Sequence, residues 1–175
     1  MTLRPGIKAL PAIGVMLGGL CGCATPSKQD ASAIVRSEVV KIFPLWKPNP
    51  FLSFDPEGDP NVEGFKFTIV LASRKTGKGI AEDGVVRTKL YRIDSTSSKK
   101  RVRSLVREWS VSTAGLPTFK SGALGLGYKL QFQWAKEEQD GILGHEVDVV
   151  VSFEGCDGRM VLSQPKRLRV PPARD

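Results

Sequence analysis

The chain has 175 residues, of which 41% are hydrophobic and 25% charged, with a net charge of +8. That balance supplies enough apolar material for a packed core and excludes a disordered polymer, and the length suits one domain with a short extension.

The first element in chain order is a leader. Arg4 and Lys8 make a positive segment, Ala9 to Leu20 run without a charge, and small residues close the stretch, the three-part plan of a secretory signal. In Leu17-Gly18-Gly19-Leu20-Cys21-Gly22-Cys23-Ala24, Leu20 stands three residues before Cys23 and the small Gly22 directly before it. This stretch resembles the lipobox of bacterial lipoprotein precursors. The resemblance implies diacylglycerol on the Cys23 thiol, cleavage in front of Cys23 and acylation of the new amino group. Using Cys21 instead would place bulky Leu20 at the cut, where a small residue is wanted. An uncleaved membrane helix is the competing reading, since the uncharged run from Ala9 to Ser27 nearly reaches the roughly 20 apolar residues of a bilayer span. Pro11, Gly14, Gly18 and Gly19 oppose it, each being unfavourable in a helix interior. Residues 1–22 are therefore expected to be a signal peptide. Several acyl chains anchor a protein stably where one holds only marginally. Ala24 occupies the place where an Asp retains such lipoproteins in the inner membrane, so the resemblance points to the outer membrane.

Residues 23–33 are the lipidated cysteine and a tether. Ala24 to Ala33 is small and polar without apolar periodicity. Such a segment reaches at most about 35 Å extended and about 17 Å as a flexible coil. Removing the leader takes the charges of Arg4 and Lys8 from the total. It also leaves Cys156 as the sole unmodified thiol, so no disulfide framework is expected even in an oxidising compartment.

Residues 34–175 read as a single domain with a period of two. Ile34 to Leu45 is β-rich and ends at Pro44 and Pro48. Phe65, Phe67, Ile69 and Leu71 form one apolar row, opposed by Lys66, Thr68 and Val70. Val85 to Ile93 alternates with Arg87, Lys89 and Arg92, and Leu105 to Val111 centres on Trp109. In Tyr128 to Trp134 every even position is apolar and every odd one polar. Val147, Val149, Val151 and Phe153 repeat the design against Glu146, Asp148 and Ser152, with Val150 breaking the alternation, and Met160 to Val170 closes the chain. These are strands with one buried and one wet face. Turn signals separate them at Thr76-Gly77-Lys78-Gly79, Glu82-Asp83-Gly84, Ala114-Gly115-Leu116-Pro117, Gln139-Asp140-Gly141 and Gly155-Cys156-Asp157-Gly158, the last shaped like a hairpin tip. No stretch shows a convincing amphipathic helix. About seven strands, each with one apolar face, can bury those faces only by stacking two sheets or closing a barrel. The expected fold is an all-β antiparallel sandwich of immunoglobulin-like or transthyretin-like kind, although the Cys-Trp-Cys signature of true immunoglobulin domains is absent.

Several stretches carry groups with chemistry. Asp55, Glu57 and Asp59 alternate as oxygen donors and resemble a fragment of a Ca²⁺ loop, the only cofactor the chain suggests. The full loop frame fails, because Pro60 takes the glycine's place and no glutamate closes it, so a solvated turn is the plainer reading. The glycines of Ser121 to Gly127 and of Arg74 to Gly79 lack the spacing of phosphate-binding loops. His145 is the one histidine and Cys156 sits in a turn, which is too little for a nucleophile with its base or for a zinc centre. No catalytic residue is expected. Two basic clusters, Lys99, Lys100, Arg101 and Arg103, then Lys166, Arg167, Arg169 and Arg174, offer either an anionic membrane or polysaccharide surface or the charge that keeps edge strands from aggregating. Nucleic acid is not an expected partner, since no reading motif or stacking aromatics accompany them. Trp46 and Phe51, in Trp46-Lys47-Pro48-Asn49-Pro50-Phe51-Leu52, are candidates for an exposed partner contact or for a lid folded over the sandwich end.

A lipobox, a short tether and one all-β domain together resemble bacterial lipoproteins. The expectation is a lipid-anchored cell-envelope protein, a non-catalytic binding or structural module with a protein or polysaccharide partner. Transthyretin-like lipoproteins serve secretion complexes, which keeps open an accessory subunit of an envelope assembly. An enzyme is the third class, and a Ca²⁺-dependent adhesion module is a further, weaker reading.

Overall fold

A computed structural model describes residues 36–54, 61–95 and 101–174. The chain divides into two units, Met1–Ala33 and Ile34–Asp175, and every described residue belongs to the second. The signal peptide, Cys23 and the tether lie outside the described residues, as do Asp55, Glu57 and Asp59 and the two lysines Lys99 and Lys100.

The second unit is an all-β sandwich of two antiparallel sheets. Ten strands are described: β1 Val39–Leu45, β2 Phe51–Leu52, β3 Gly64–Ser73, β4 Gly84–Ser95, β5 Arg101–Ser112, β6 Thr118–Ser121, β7 Gly125–Gln133, β8 Glu146–Gly155, β9 Met160–Leu162 and β10 Lys166–Arg169. One sheet has the order β1-β3-β7-β6, with β2 also paired to β3, and will be called sheet A. The other, sheet B, has the order β10-β8-β4-β5, with β9 also paired to β8.

Three alternating rows of the sequence lie where period two puts their apolar residues, whereas Leu105 of the row centred on Trp109 is exposed. Phe65, Phe67, Ile69 and Leu71 of β3, Tyr128, Leu130 and Phe132 of β7 with the following Trp134, and Val147, Val149, Val151 and Phe153 of β8 are all buried in one core. Burial of such side chains contributes about 1.5–3 kcal/mol each before entropy is counted. An aromatic cluster fills part of it. Trp46 stacks on Phe67 at 4.4 Å, Phe65 meets Trp109 edge-on at 5.7 Å, and Trp109 lies 5.1 Å from Phe132. The Trp109 indole donates to the Gln133 carbonyl at 3.1 Å, tying β5 of sheet B to β7 of sheet A.

The expected strand count of about seven becomes ten because proline interrupts one of the expected strands and two short ones carry no periodic signal. Proline lacks the N–H a ladder needs. The stretch expected as one strand from Met160 to Val170 is β9 and β10, which lie in succession on the same side of β8 with Pro165 between them. At the break Ser163 keeps the ladder closed: its N–H donates to the Val151 carbonyl at 2.8 Å and its Oγ accepts the Val151 N–H at 3.1 Å. Pro48 and Pro50 divide β1 from β2 in the same way along β3, whereas Pro44 lies within edge strand β1 rather than ending it. Strand β6 is four residues long, too short for alternation to show. Strand β5 begins at Arg101, earlier than its apolar residues suggest, because β4 supplies a backbone partner from Ser95 onward.

Two short helical turns join the sheets. A 3-10 turn at Thr113–Gly115 leads from β5 to β6, and α1, Lys136–Gln139, leads from β7 to β8. The Glu138 carboxylate accepts the Ala135 N–H at 2.8 Å at the start of α1, and it also pairs with Arg107 at 2.9 Å. Among the described residues no helix is long and apolar enough to cross a membrane.

Three residues of the expected wet faces, Val70, Asp148 and Ser152, are buried, and Val70 is so for a tertiary reason. Val70 points away from the core, but the loop after β3 crosses it, with Gly79 bridged to Ala72 and Gly125. Only glycine allows that approach: a Cβ at Gly79 would stand 2.0 Å from the Leu126 carbonyl oxygen.

Candidate functional site

Two of the basic residues singled out in the sequence, Arg103 and Arg167, meet a single acid. Asp148 lies on the outer face of β8, opposite Arg167 of β10 in the strand register. Arg167 forks onto it, Nε to Oδ1 at 2.9 Å and Nη2 to Oδ2 at 3.0 Å. Arg103 reaches over β4 from β5 to Oδ2 at 2.6 Å. The three side chains thus link the edge strands β10 and β5 to central β8. The Asp148 side chain is 2% exposed, so the sequence-based placement of this residue on a wet face is corrected: two arginines cover it. The Arg167 hydrogen bonds, helped by the charges of both arginines, hold its carboxyl below the ordinary value of 3.8 against the opposing effect of burial. Arg103 and Arg167 are therefore a clamp within sheet B, and of that cluster Arg101, Lys166 and Arg169 remain exposed.

Trp46 and Phe51 fold back onto the core. Both are half-buried and pack against it, Trp46 on Phe67 and Phe51 beside Phe65 in the β2–β3 pairing. This packing is the arrangement the lid reading expects, and both rings keep part of their surface exposed.

His145 and Cys156 are both exposed, the first just before β8 and the second just after it. Ten residues at about 3.3 Å each separate them by roughly 30 Å, so the two do not form a nucleophile and base. The Gly155–Gly158 turn is the hairpin tip expected from its residues, with Gly158 at φ 74°. It also fastens the chain's approach to β1. Asp157 accepts the Ser37 N–H at 2.9 Å and the Arg159 N–H at 3.0 Å, and these bonds, Ser37 first, lower its carboxyl below the ordinary range. Among the described residues no three His, Cys, Asp or Glu side chains gather closely enough to hold a metal ion.

A different face brings cations together without acids. On the outer side of sheet A two rows run across the strands. One is Leu45, Thr68, Lys129 and Pro117, fixed by the β1–β3 and β3–β7 registers and by the Lys129 N–H donating to the Pro117 carbonyl at 2.8 Å. The next holds Lys66 opposite Gln131, with Lys47 beside them. Together they line a groove of about 540 Å³ open to solvent. All three lysines are exposed, and among the described residues none enters an ion pair. Lys66 and Lys129 stand diagonally on adjacent strands, where Cβ atoms lie about 7–8 Å apart.

This grouping was missed in the sequence, where Lys66 and Lys129 are merely the wet positions of two strands. The signal that gathers them is the pairing register of β3 with β7, which no single strand contains.

The described residues form an antiparallel two-sheet β-sandwich, with ion pairs across one outer face and a lysine-lined groove on the other. No family model matches the chain, and no curated protein matches it. Among solved structures, that of Spo0M, the sporulation control protein of Bacillus subtilis, is similar with a TM-score of 0.38 and 12% identity, over 76% of this chain and 49% of that one. The chain therefore spans about half the length of that structure.

Proposed function

We propose that the chain is a lipid-anchored protein of the cell envelope, held at the outer membrane through Cys23, whose sandwich is a non-catalytic module that binds a partner. The observation that carries the binding part is the basic groove on the outer face of sheet A, where three lysines share a concave surface with no acid paired to them among the described residues. Open grooves of several hundred cubic ångströms with a few convergent polar groups are the usual form of ligand sites. The anchor rests on the leader, the Leu20-Cys21-Gly22-Cys23 lipobox and the polar tether, which together keep the domain within about 35 Å of the lipid surface.

Replacing Cys23 by alanine tests the anchor. Wild-type protein is expected in the detergent-soluble membrane fraction and Cys23→Ala in the aqueous one; equal partition of the two into membranes would refute the lipid anchor. Affinity capture from native membranes in detergent tests the module. Retention of a monomer on an envelope polysaccharide matrix supports the binding reading. A defined stoichiometric complex would replace it with the accessory-subunit reading.

A further inference from the structure

We infer that the groove lined by Lys47, Lys66 and Lys129 on the outer face of sheet A is the binding site for a chain of acidic polysaccharide. The inference deepens the binding-module reading above and rests on it, but it does not depend on the anchor.

Lys66 and Lys129 stand diagonally on adjacent strands of one sheet face, opposite Gln131 and Thr68, with Lys47 beside them. Sheet B carries cations of both kinds: Arg87 pairs with Glu154, Lys89 with Glu108, and Arg103 and Arg167 with Asp148, while Arg101, Lys166 and Arg169 at its edge strands are exposed. Edge protection accounts for lysines on an exposed strand edge. It does not account for Lys66 and Lys129, because β3 and β7 are central strands paired on both sides. A concave surface lined by charges of one sign raises the local concentration of the opposite charge. Charge complementarity then requires an anionic occupant.

The lining selects among anions. Thr68 and Gln131 stand between the lysines and offer a hydroxyl and an amide, groups that exchange hydrogen bonds with sugar hydroxyls and with carboxylates. Leu45 and Pro117 close the ends of the Thr68 row with apolar surface for the ring faces of a sugar. An acidic peptide gains affinity from main-chain pairing at a free strand edge, and the groove floor, made of β3 and β7, has none. A bilayer is met by apolar side chains that project from an amphipathic surface, whereas this lining is concave.

The test uses the full-length mature protein in non-ionic detergent micelles. Polygalacturonate is titrated by calorimetry at low and moderate salt, with neutral dextran, poly-glutamate and phosphatidylglycerol-doped micelles as comparators. Polygalacturonate is expected to bind and dextran not to. Lys66→Gln combined with Lys129→Gln should weaken binding at least tenfold and flatten its salt dependence, while Lys166→Gln with Arg169→Gln changes it less than twofold. Amine acetylation of the wild-type protein, mapped by mass spectrometry, supplies a readout that needs no variant: polygalacturonate should protect Lys66 and Lys129 but not Lys166. The inference is overturned if polygalacturonate binds no better than dextran, if both double variants lose affinity equally, or if Lys66 and Lys129 are not protected. Tighter binding of poly-glutamate or of phosphatidylglycerol micelles overturns it too, in favour of a peptide or a lipid. Binding in micelles does not require the acyl group, so a negative result here and an unmodified Cys23 are separate outcomes.

Discussion

Asp148 shows how one buried charge organises a sheet face. Its carboxylate is covered by Arg103 and Arg167, which are themselves 48% and 36% exposed. The two sides of the clamp therefore respond differently to mutation. Asp148→Asn leaves two arginines free to turn into water and should cost about 1 kcal/mol, the net worth of an ordinary hydrogen bond. Arg167→Met strips the fork from an acid that stays buried, and should cost about 2–3 kcal/mol, since a buried charge short of partners bears most of its desolvation penalty. Urea unfolding of the two variants checks the order. The pH dependence has a definite sign. A carboxylate lowered in the folded state stabilises the fold above its ordinary value of 3.8, and that stability is lost as pH falls through the lower folded value. Wild-type stability should therefore drop on acidification below about pH 4 more steeply than that of Asp148→Asn. The burial of Asp148 was hidden in the sequence, where it occupies an alternating polar position like Glu146 and Ser152. What covers it comes from two other strands, 19 and 45 residues away along the chain.

Elements show the same division between what one segment reveals and what pairing adds. The rows Phe65 to Leu71, Tyr128 to Trp134 and Val147 to Phe153 were legible because each carries its own period of two, and all became core. Strands β2 and β6 were not, since two and four residues hold no periodicity, and the lysine groove was not, since it exists only in the register of β3 with β7. The crossing of Gly79 over Val70 belongs to this scale as well. Gly79→Val would drive its Cβ into the Leu126 carbonyl; the strap must lift, and a loss of about 1–3 kcal/mol is expected, with faster amide exchange at Ile80 and Leu126, whose N–H groups are bonded across it. Unchanged exchange at both would show that the crossing is not held there. Trp46 tests the lid. Trp46→Ala removes the stack on Phe67 and Phe65 and should lower stability by about 2–3 kcal/mol, less than for a fully buried tryptophan because the ring is half-exposed. A loss within 0.5 kcal/mol, the usual range for a surface substitution, would mean that the ring does not seal the core.

At the scale of the whole molecule the account joins an address to a surface. The address is in the first 33 residues and is read from motif chemistry; the surface is in the sandwich and is read from strand register. One sheet face is tied by ion pairs across its strands, and the other presents lysines in an open groove. On the proposed reading, the tether would set where the domain stands and the groove what it holds, and the anchor would decide the compartment and with it which anions the groove meets. The most direct test is intact mass spectrometry of the mature protein purified from membranes, with fragmentation of its N-terminal peptide. The account predicts a chain that begins at Cys23 and carries diacylglycerol on the sulfur and a fatty acyl group on the amino nitrogen. A chain that still begins at Met1, or one with an unmodified thiol at residue 23, would contradict it.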